Sequence, residues 1–162
     1  MAAARTINFT LNGAAVSADV KPHHNLVEML QAQFGLTGAR ESCGQGLCGC
    51  CTVLVNGRAV SGCLYLATFI DGADVVTIEN LDTHEKLSPV QEAFIEASAF
   101  QCGYCTPGQI LSAAGLIAEG KAASVEEIRE LMSGNICRCA AYVNIVAAIE
   151  HVIQAAEGSV TP

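Results

Sequence analysis

Tryptophan is absent from the 162 residues, and the other aromatic residues are limited to three tyrosines and five phenylalanines. Basic residues are scarce as well, since lysine and arginine number 8 against 16 for aspartate and glutamate, which gives a net charge of −8. A nucleic-acid-binding surface needs a basic patch that neutralises phosphates. The composition therefore argues against nucleic acid as a partner.

Long apolar runs are also missing. No segment approaches the roughly 18 to 20 consecutive apolar residues that a membrane-spanning helix needs. An alternating pattern begins directly after Arg5, with no charged and apolar leader before it. We therefore expect no membrane span and a cytoplasmic location. Because cytosolic thiols are kept reduced, the nine cysteines are then expected to bind metal rather than to form disulfides.

The rest of the composition is that of a globular protein. Hydrophobic residues make up 51% of the chain and charged residues 15%, and this hydrophobicity is well above that of disordered chains. The length suits one domain of average size or two small domains of roughly 80 residues each. The pattern along the chain has to distinguish these two possibilities.

The first half of the chain is patterned for strands. Apolar and polar residues alternate on both sides of Asn12-Gly13 and again around Asn56-Gly57. Asn-Gly is the preferred pair for a type I′ turn, so each segment predicts a β-hairpin. A further strand is predicted over Val75–Ile78. Residues 1–80 are therefore expected to form a small α+β domain.

Helical patterns fill the remaining segments. One short helix is predicted over Leu26–Phe34, where apolar residues recur at helical spacing and Gly35 follows as a C-cap. The second half is predicted to contain four helices and no strand. Three of them begin at capping signatures, and the last is marked by its apolar spacing: Ser88-Pro89-Val90-Gln91, Thr106-Pro107-Gly108-Gln109, Ser124 to Glu127, and Tyr142 to Ile153.

Four cysteines of the first half have the spacing C-x4-C-x2-C, with a fourth after eleven further residues: Cys43, Cys48, Cys51 and Cys63. This is the plant-ferredoxin ligand spacing for a [2Fe–2S] cluster. Such a cluster is anionic, so the loop has to turn backbone N–H groups toward the sulfurs. Three glycines in the loop would let the backbone come that close: Gly44, Gly46 and Gly49.

A four-cysteine zinc site or a pair of disulfides is the alternative for these residues. Zinc sites usually pair two short C-x2-C knuckles, which this three-plus-one arrangement does not contain. The spacing therefore favours the cluster. Cys50 is left over, and we expect it to pack as a small buried apolar residue. A role as a replacement ligand or redox-sensitive thiol is the alternative for it.

A second set of cysteines lies in the helical half. Cys102 and Cys105 form C-x2-C before one predicted helix, and Cys137 and Cys139 form C-x-C before the last. All four would lie near helix N-termini, where the positive end of the helix dipole favours thiolates and an anionic cluster. Taken alone, this set is equally compatible with zinc.

Together, the three cysteine segments resemble the small iron–sulfur subunit of the xanthine dehydrogenase and aldehyde oxidase family of molybdenum hydroxylases. The segments that carry the resemblance occur in family order and are Cys43-Gly-Gln-Gly-Leu-Cys48-Gly-Cys-Cys51-Thr, Gln101-Cys102-Gly-Tyr-Cys105-Thr-Pro-Gly-Gln109 and Gly134-Asn-Ile-Cys137-Arg-Cys139. The resemblance covers nearly the whole chain. Within the family, the stretch from Met132 to Ile145 is most similar to the aldehyde oxidoreductase branch.

The resemblance implies a fold and a set of partners. It implies a plant-ferredoxin-like β-grasp domain over residues 1–80 and an all-α four-helix-bundle domain over residues 81–162, each with one [2Fe–2S] cluster. It also implies a large subunit with molybdopterin, in its cytosine dinucleotide form, and a medium subunit with FAD. By the same resemblance, Gln101 contacts the molybdopterin, Cys139 is the exit from the second cluster toward it, and the first cluster faces the flavin subunit.

The implied function is electron transfer. An aldehyde would be oxidised to a carboxylic acid at the molybdenum centre of another chain, and electrons would pass through this chain to FAD or another acceptor. The alternatives are the same role in a complex that hydroxylates N-heterocycles of the xanthine, nicotinate or quinoline type or oxidises CO, a free-standing ferredoxin, and a zinc-bound structural module. No paired carboxylates and no Ser/His/Asp set are visible, so we expect no catalytic residue in this chain.

Overall fold

A computed structural model describes residues 3–81, 86–120 and 124–158. The chain opens with the predicted hairpin of strands β1 (Arg5–Leu11) and β2 (Ala14–Val20), which pair antiparallel. Asn12 and Gly13 form its turn with φ angles of 53° and 79°. A type I′ turn requires this left-handed conformation at both central positions, so the Asn-Gly signal is confirmed.

Helix α1 (Leu26–Phe34) has the predicted bounds and the predicted C-cap, and it begins at a capping box that was not predicted. Asn25 and Glu28 form a capping box, in which each side chain accepts a hydrogen bond from the backbone N–H of the other residue. Gly35 ends the helix in the left-handed conformation with a φ of 67°. The apolar face of α1 is fully buried against the sheet described next.

The sheet has five strands in the order β2-β1-β5-β3-β4. The second predicted hairpin supplies β3 (Thr52–Val55) and β4 (Arg58–Ser61), and β5 is a short strand over Asp74–Val76. β5 pairs parallel with β1 and antiparallel with β3, so it joins the two hairpins into one mixed sheet. The first half is therefore α+β, as expected.

The last strand is shorter than the sequence predicts. Instead of continuing through Ile78, it ends at Val76, and a 3₁₀ turn over Ile78–Asn80 follows. Thr77 is completely buried, and its backbone N–H donates to Asn12 Oδ1 at 2.9 Å rather than to a strand partner. Because this N–H bonds to the turn of the first hairpin, the backbone after Val76 does not continue the hydrogen bonding of the sheet.

Four helices follow in the described residues, as predicted: α2 (Pro89–Glu96), α3 (Thr106–Glu119), α4 (Val125–Leu131) and α5 (Tyr142–Gly158). Ser88 and Ser124 cap α2 and α4 at the expected positions. α5 contacts the other three helices, and together they bury a core separate from that of the sheet. The finer description of a four-helix bundle stays a prediction. None of the helices in the described ranges is long and apolar enough to cross a membrane.

The start of α3 corrects the predicted capping box at Thr106. Thr106 is the first helical residue, and the N-cap is Cys105, whose side chain makes no capping hydrogen bond. Gln109 would have closed the box, but its side chain is 1% exposed and its amide donates to the backbone oxygen of Asn135 at 3.1 Å. A tertiary contact therefore uses the group that the local motif needs.

The two halves meet where α3 lies against β3 and β4. Gly115 of α3 faces Leu54, because a Cβ atom at Gly115 would lie 3.3 Å from Leu54 Cδ2. At the rim of this contact, Arg58 Nε and Glu119 Oε1 lie 3.8 Å apart. The N-terminus of α3 is thereby directed toward the loop that precedes β3, and both of these segments carry cysteines.

Candidate metal centres

The four cysteines of the first half come together as two pairs. Cys43 and Cys48 lie in the loop before β3, and their thiols are within hydrogen-bonding reach of each other. Cys51 immediately precedes β3 and Cys63 follows β4, and these two thiols form the second pair. The β3–β4 hairpin brings the last two together, which explains how a cysteine twelve positions away completes the set.

The outer pair lies in a loop that turns backbone N–H groups toward sulfur. The N–H of Gln45 donates to Cys43 Sγ at 3.4 Å, and the N–H of Leu47 also points to this sulfur. These two hydrogen bonds lower the pKa of Cys43 to about 6. Gly44 and Gly46 make the reversal possible, with φ angles of 62° and 71°.

The inner pair has the opposite electrostatic environment. Cys51 is 2% exposed, and burial raises the pKa of its thiol to about 11. A buried thiolate needs a positive charge beside it, and a bound metal ion supplies one while it displaces the proton. The set therefore combines an accessible cysteine that ionises easily with a buried one that ionises when metal binds.

The cysteines of the helical half are also paired, and each pair joins two motifs. Cys102 lies within hydrogen-bonding reach of Cys139, and Cys105 within reach of Cys137. The N–H of Tyr104 is the main cause that lowers the pKa of Cys102, whereas burial raises that of Cys105 to about 11. Both motifs lie at helix N-termini, where the helix dipoles favour anionic groups.

Two facing pairs of thiols match the donor set of a two-iron cluster, because each iron of a [2Fe–2S] centre takes two protein ligands. In both halves of the chain the sulfurs are grouped in this way. Within the described parts of the chain, no three His, Cys, Asp or Glu side chains converge as a single ion would require. The eight residues present therefore fit two [2Fe–2S] clusters.

Two family models match the chain, a 2Fe-2S iron-sulfur cluster binding domain over residues 9–77 and a [2Fe-2S] binding domain over residues 77–150. The nicotinate dehydrogenase small FeS subunit of Eubacterium barkeri is 44% identical over 149 residues, which span 92% of this chain and 95% of the relative. The aldehyde oxidoreductase iron–sulfur-binding subunit of Escherichia coli K12 is 42% identical over 159 residues, spanning 89% and 69% of the two chains. This chain belongs to the family of iron–sulfur subunits of molybdenum hydroxylases.

The solved structures agree. Quinoline 2-oxidoreductase from Pseudomonas putida 86 contains a chain that superposes on this iron–sulfur subunit with a TM-score of 0.89 and 39% identity. The match covers 98% of this chain and 99% of the other. The likeness therefore extends over both halves and their relative placement.

Cys50 of this iron–sulfur subunit lies between the two cysteine sets. It is 4% exposed, and its thiol points to the backbone oxygen of Cys48 at 4.0 Å. Burial is the main cause that raises the pKa of Cys50 to about 12, a hydrogen bond with the thiol of Cys48 is the second, and the charges of Cys48 and Cys105 act in the same direction. A buried free cysteine packs as a small apolar residue, and this role stays our prediction for Cys50.

The two cysteine sets are joined by a buried polar contact that the sequence alone did not reveal. The side-chain amide of Asn135 donates to the backbone oxygens of Gly49 and Gly108, each at 3.3 Å. Next to it, the N–H of Ile136 donates to the backbone oxygen of Cys48 at 2.9 Å. The position of Asn135 beside the C-x-C motif was the available signal. Arg40 contacts both segments too, through the backbone oxygen of Cys50 and those of Gly103 and Tyr104, and no motif in the sequence indicates it.

Gln101 lies on the surface beside the second set. Its side chain is exposed, and its amide nitrogen donates to the backbone oxygen of Cys139 at 3.2 Å. This hydrogen bond connects Gln101, which precedes the C-x2-C motif, to Cys139 of the C-x-C motif. It places a polar amide next to Cys139, where the sequence predicts the contact with molybdopterin.

Proposed function

We propose that this iron–sulfur subunit carries electrons from a molybdopterin centre in a larger partner chain to FAD or another acceptor, through two [2Fe–2S] clusters of its own. The observation that carries the proposal is the grouping of eight thiols into four pairs, two in each half of the chain. We place the protein in the cytoplasm, where thiols are kept reduced and available to iron.

The ligands are proposed as two sets of four, one in each proposed domain. In residues 1–80 they are Cys43, Cys48, Cys51 and Cys63, and in residues 81–162 they are Cys102, Cys105, Cys137 and Cys139. When bound, each cluster would supply a centre that takes up and releases one electron at a time. The protein would hold the sulfurs, direct N–H groups at them and keep water from the buried side.

Transfer between the clusters within one chain is supported by the contact between their ligand segments. Cys48 belongs to the first set, and its backbone oxygen accepts a hydrogen bond from Ile136, which is bonded directly to Cys137 of the second set. A single hydrogen bond therefore connects the backbones of two ligands from different sets. Electron transfer requires a short separation, and this backbone contact between the two ligand segments supports one.

The proposed docking face for the molybdopterin-binding subunit surrounds the second set. Apolar side chains in this region are exposed, and the side chain of Val143 is the most exposed of them at 78%: Phe100, Tyr104, Ile136, Tyr142 and Val143. Exposed apolar patches of this kind mark protein–protein contacts. Exposed Leu47 and Leu64 are neighbours of Cys48 and Cys63 in the first set and are proposed to face the FAD subunit.

Aldehyde oxidation is the proposed reaction of the complex, with the molybdopterin as its cytosine dinucleotide. The 42% identity with an aldehyde oxidoreductase subunit supports it. Hydroxylation of an N-heterocycle is the second candidate, since 44% identity with a nicotinate dehydrogenase subunit supports that reaction equally. The substrate pocket is proposed to belong to the molybdopterin-binding chain, so the residues of this chain do not distinguish the two reactions. The activity of the purified complex with aldehydes and with nicotinate would distinguish them.

The purified chain should contain about four iron atoms and about four acid-labile sulfides, as two clusters on eight thiolates require. Metal analysis together with a sulfide assay measures both quantities on the same sample. A content near two iron atoms would mean that one cysteine set binds something else. Zinc in place of iron would refute the proposal for both sets.

Purification from the native host under mild conditions tests the assembly. We expect molybdenum and FAD to co-elute with this chain, together with two larger polypeptides, because the exposed apolar side chains around both cysteine sets need partners. A chain that contains four irons yet elutes alone at every step would favour a free-standing ferredoxin. The iron analysis and the co-elution therefore test the clusters and the partners separately.

Replacing Gln101 by alanine should leave both clusters assembled and slow their reduction by substrate in the complex. Alanine has no amide, so the hydrogen bond proposed between this side chain and the molybdopterin would be lost. A buried hydrogen bond of this kind is worth about 1 kcal/mol. Stopped-flow absorption measures the rate at which substrate reduces the iron–sulfur centres. A variant with full molybdenum content and the wild-type rate would return Gln101 to the role of an ordinary surface residue.

A further inference from the structure

Arg40 joins the loop of the first cysteine set to the loop of the second. Its backbone N–H donates to the backbone oxygen of Cys50 at 3.0 Å. Its guanidinium Nη1 donates to two backbone oxygens, that of Gly103 at 3.0 Å and that of Tyr104 at 2.9 Å. The guanidinium also lies over the ring of Tyr104, with 5.3 Å between its central carbon and the ring centroid.

These contacts hold a positive charge beside the second set. Gly103 and Tyr104 are the two residues between Cys102 and Cys105, so the guanidinium lies against the C-x2-C segment itself. Arg40 is only partly exposed, and a charge that is partly removed from water is screened less than one on the open surface.

We propose that Arg40 raises the reduction potential of the second cluster and does so more strongly than for the first. Reduction adds one electron and no proton at this site, so an anionic cluster gains one further negative charge. The fixed charge of Arg40 stabilises that additional charge. The inference rests on the ligand set proposed above for Cys102, Cys105, Cys137 and Cys139.

The first cluster is expected to respond less, because Arg40 meets its loop through the backbone. The contact there is between the N–H of Arg40 and the oxygen of Cys50, which is not a proposed ligand. The guanidinium, which carries the charge, is directed instead to Gly103 and Tyr104. A higher potential in the second cluster would favour uptake of an electron from the neighbouring molybdenum centre.

The test is a redox titration of the full iron-loaded chain with dithionite as the electron donor, followed by electron paramagnetic resonance of each reduced cluster. Cys48→Ala, which should lack the first cluster, identifies the signal of the second. In Arg40→Gln, the equilibrium constant for reduction of the second cluster should fall about tenfold relative to wild type, which is about 59 mV for one electron. Arg40→Lys keeps the charge and should restore most of the shift.

Arg5→Gln is the matched control. Arg5 pairs with Asp71 at 2.7 Å on the sheet, so the substitution removes the same charge away from both sets. It should leave both potentials unchanged. The proposal is overturned if Arg40→Gln behaves like Arg5→Gln, if both clusters shift equally, or if Arg40→Lys shifts the second cluster as far as Arg40→Gln does.

Iron content decides the case in which a neutral residue at position 40 prevents assembly. If Arg40→Gln and Arg40→Met both lose the second cluster while Arg40→Lys keeps about four iron atoms, the charge is required and the proposal stands. Loss of the cluster in Arg40→Lys as well would overturn it, because geometry rather than charge would then be essential. A failure of the ligand assignment itself is distinguishable, since the wild-type chain would then lack four iron atoms.

Discussion

Cys48→Ala should remove about two of the four iron atoms expected in the chain. One iron of the first cluster would keep only one of its two protein ligands, and the cluster would not assemble. The thiol of Cys48 pairs with that of Cys43. Cys50 also lies within reach of Cys48, but it is 4% exposed and its thiol points to the backbone oxygen of Cys48, so we expect it not to take over the ligand position. Iron analysis and the visible absorption of the purified variant measure the loss. The signal of the second cluster should remain.

Cys50→Ala is the matched control, since it removes a sulfur only two residues away. A methyl group can take the place of this buried thiol, so the iron content and both cluster signals should stay at the wild-type level. Loss of iron from Cys50→Ala, or full retention in Cys48→Ala, would show that the loop binds its metal through a different set of sulfurs. Because positions 48 and 50 lie in the same loop, a difference in iron content between Cys48→Ala and Cys50→Ala reports on the sulfur atom that was removed.

Gly108→Ala should destabilise the iron-loaded chain by about 1–3 kcal/mol, the usual effect of forcing an extra carbon into a packed contact. A Cβ atom at Gly108 would lie 2.1 Å from the backbone oxygen of Gly49 and 3.1 Å from Cys50 Cα. Both neighbours are backbone atoms of the first cysteine loop, so they cannot move aside without moving the ligands. The amide of Asn135, which bonds to both Gly49 and Gly108, would also lose its geometry.

The midpoint of thermal unfolding is the measurement, and for a chain of this size each kcal/mol corresponds to about 2–4 °C. Magnetic coupling between the two reduced clusters provides a second measurement, since a wider separation weakens it. Gly115→Ala on the same helix is the control. Its Cβ would lie 3.3 Å from the flexible side chain of Leu54, and alanine is the better helix former, so its midpoint should change little. Equal midpoints in the two variants would contradict the expected clash.

Short-range signals in the sequence were sufficient for most of the fold. The two Asn-Gly turns, the capping box at Ser88 and the C-cap at Gly35 are found at the predicted positions. Each of these features depends on one residue and its neighbours within about four positions, so the local sequence contains the cause.

The two local predictions that were wrong depend on contacts distant in sequence. Thr77 leaves the strand because its N–H bonds to Asn12, 65 residues away. Gln109 does not close a capping box because its amide is bonded to Asn135, 26 residues away. In both cases a buried polar group outside the segment offers a hydrogen bond that the local pattern cannot anticipate, and leaving that group unpaired would be costly.

The candidate ligands were identified from sequence because metal chemistry restricts both the residue type and the spacing. Seven cysteines in three segments, together with Cys63, were enough to indicate two clusters, and the second set became convincing only beside the first. The sequence by itself therefore determined the chemistry, the number of clusters expected and the secondary structure that carries them.

Only the tertiary structure decided which thiols pair and what lies between the two sets. Cys102 pairs with Cys139 rather than with its neighbour in C-x2-C, because the N-termini of α3 and α5 are brought together by packing. Arg40 and Asn135 gained their positions in the same way. Their contacts reach across 63 and 86 residues of sequence, and such contacts arise from the packing of one half on the other, which no periodicity or local motif encodes.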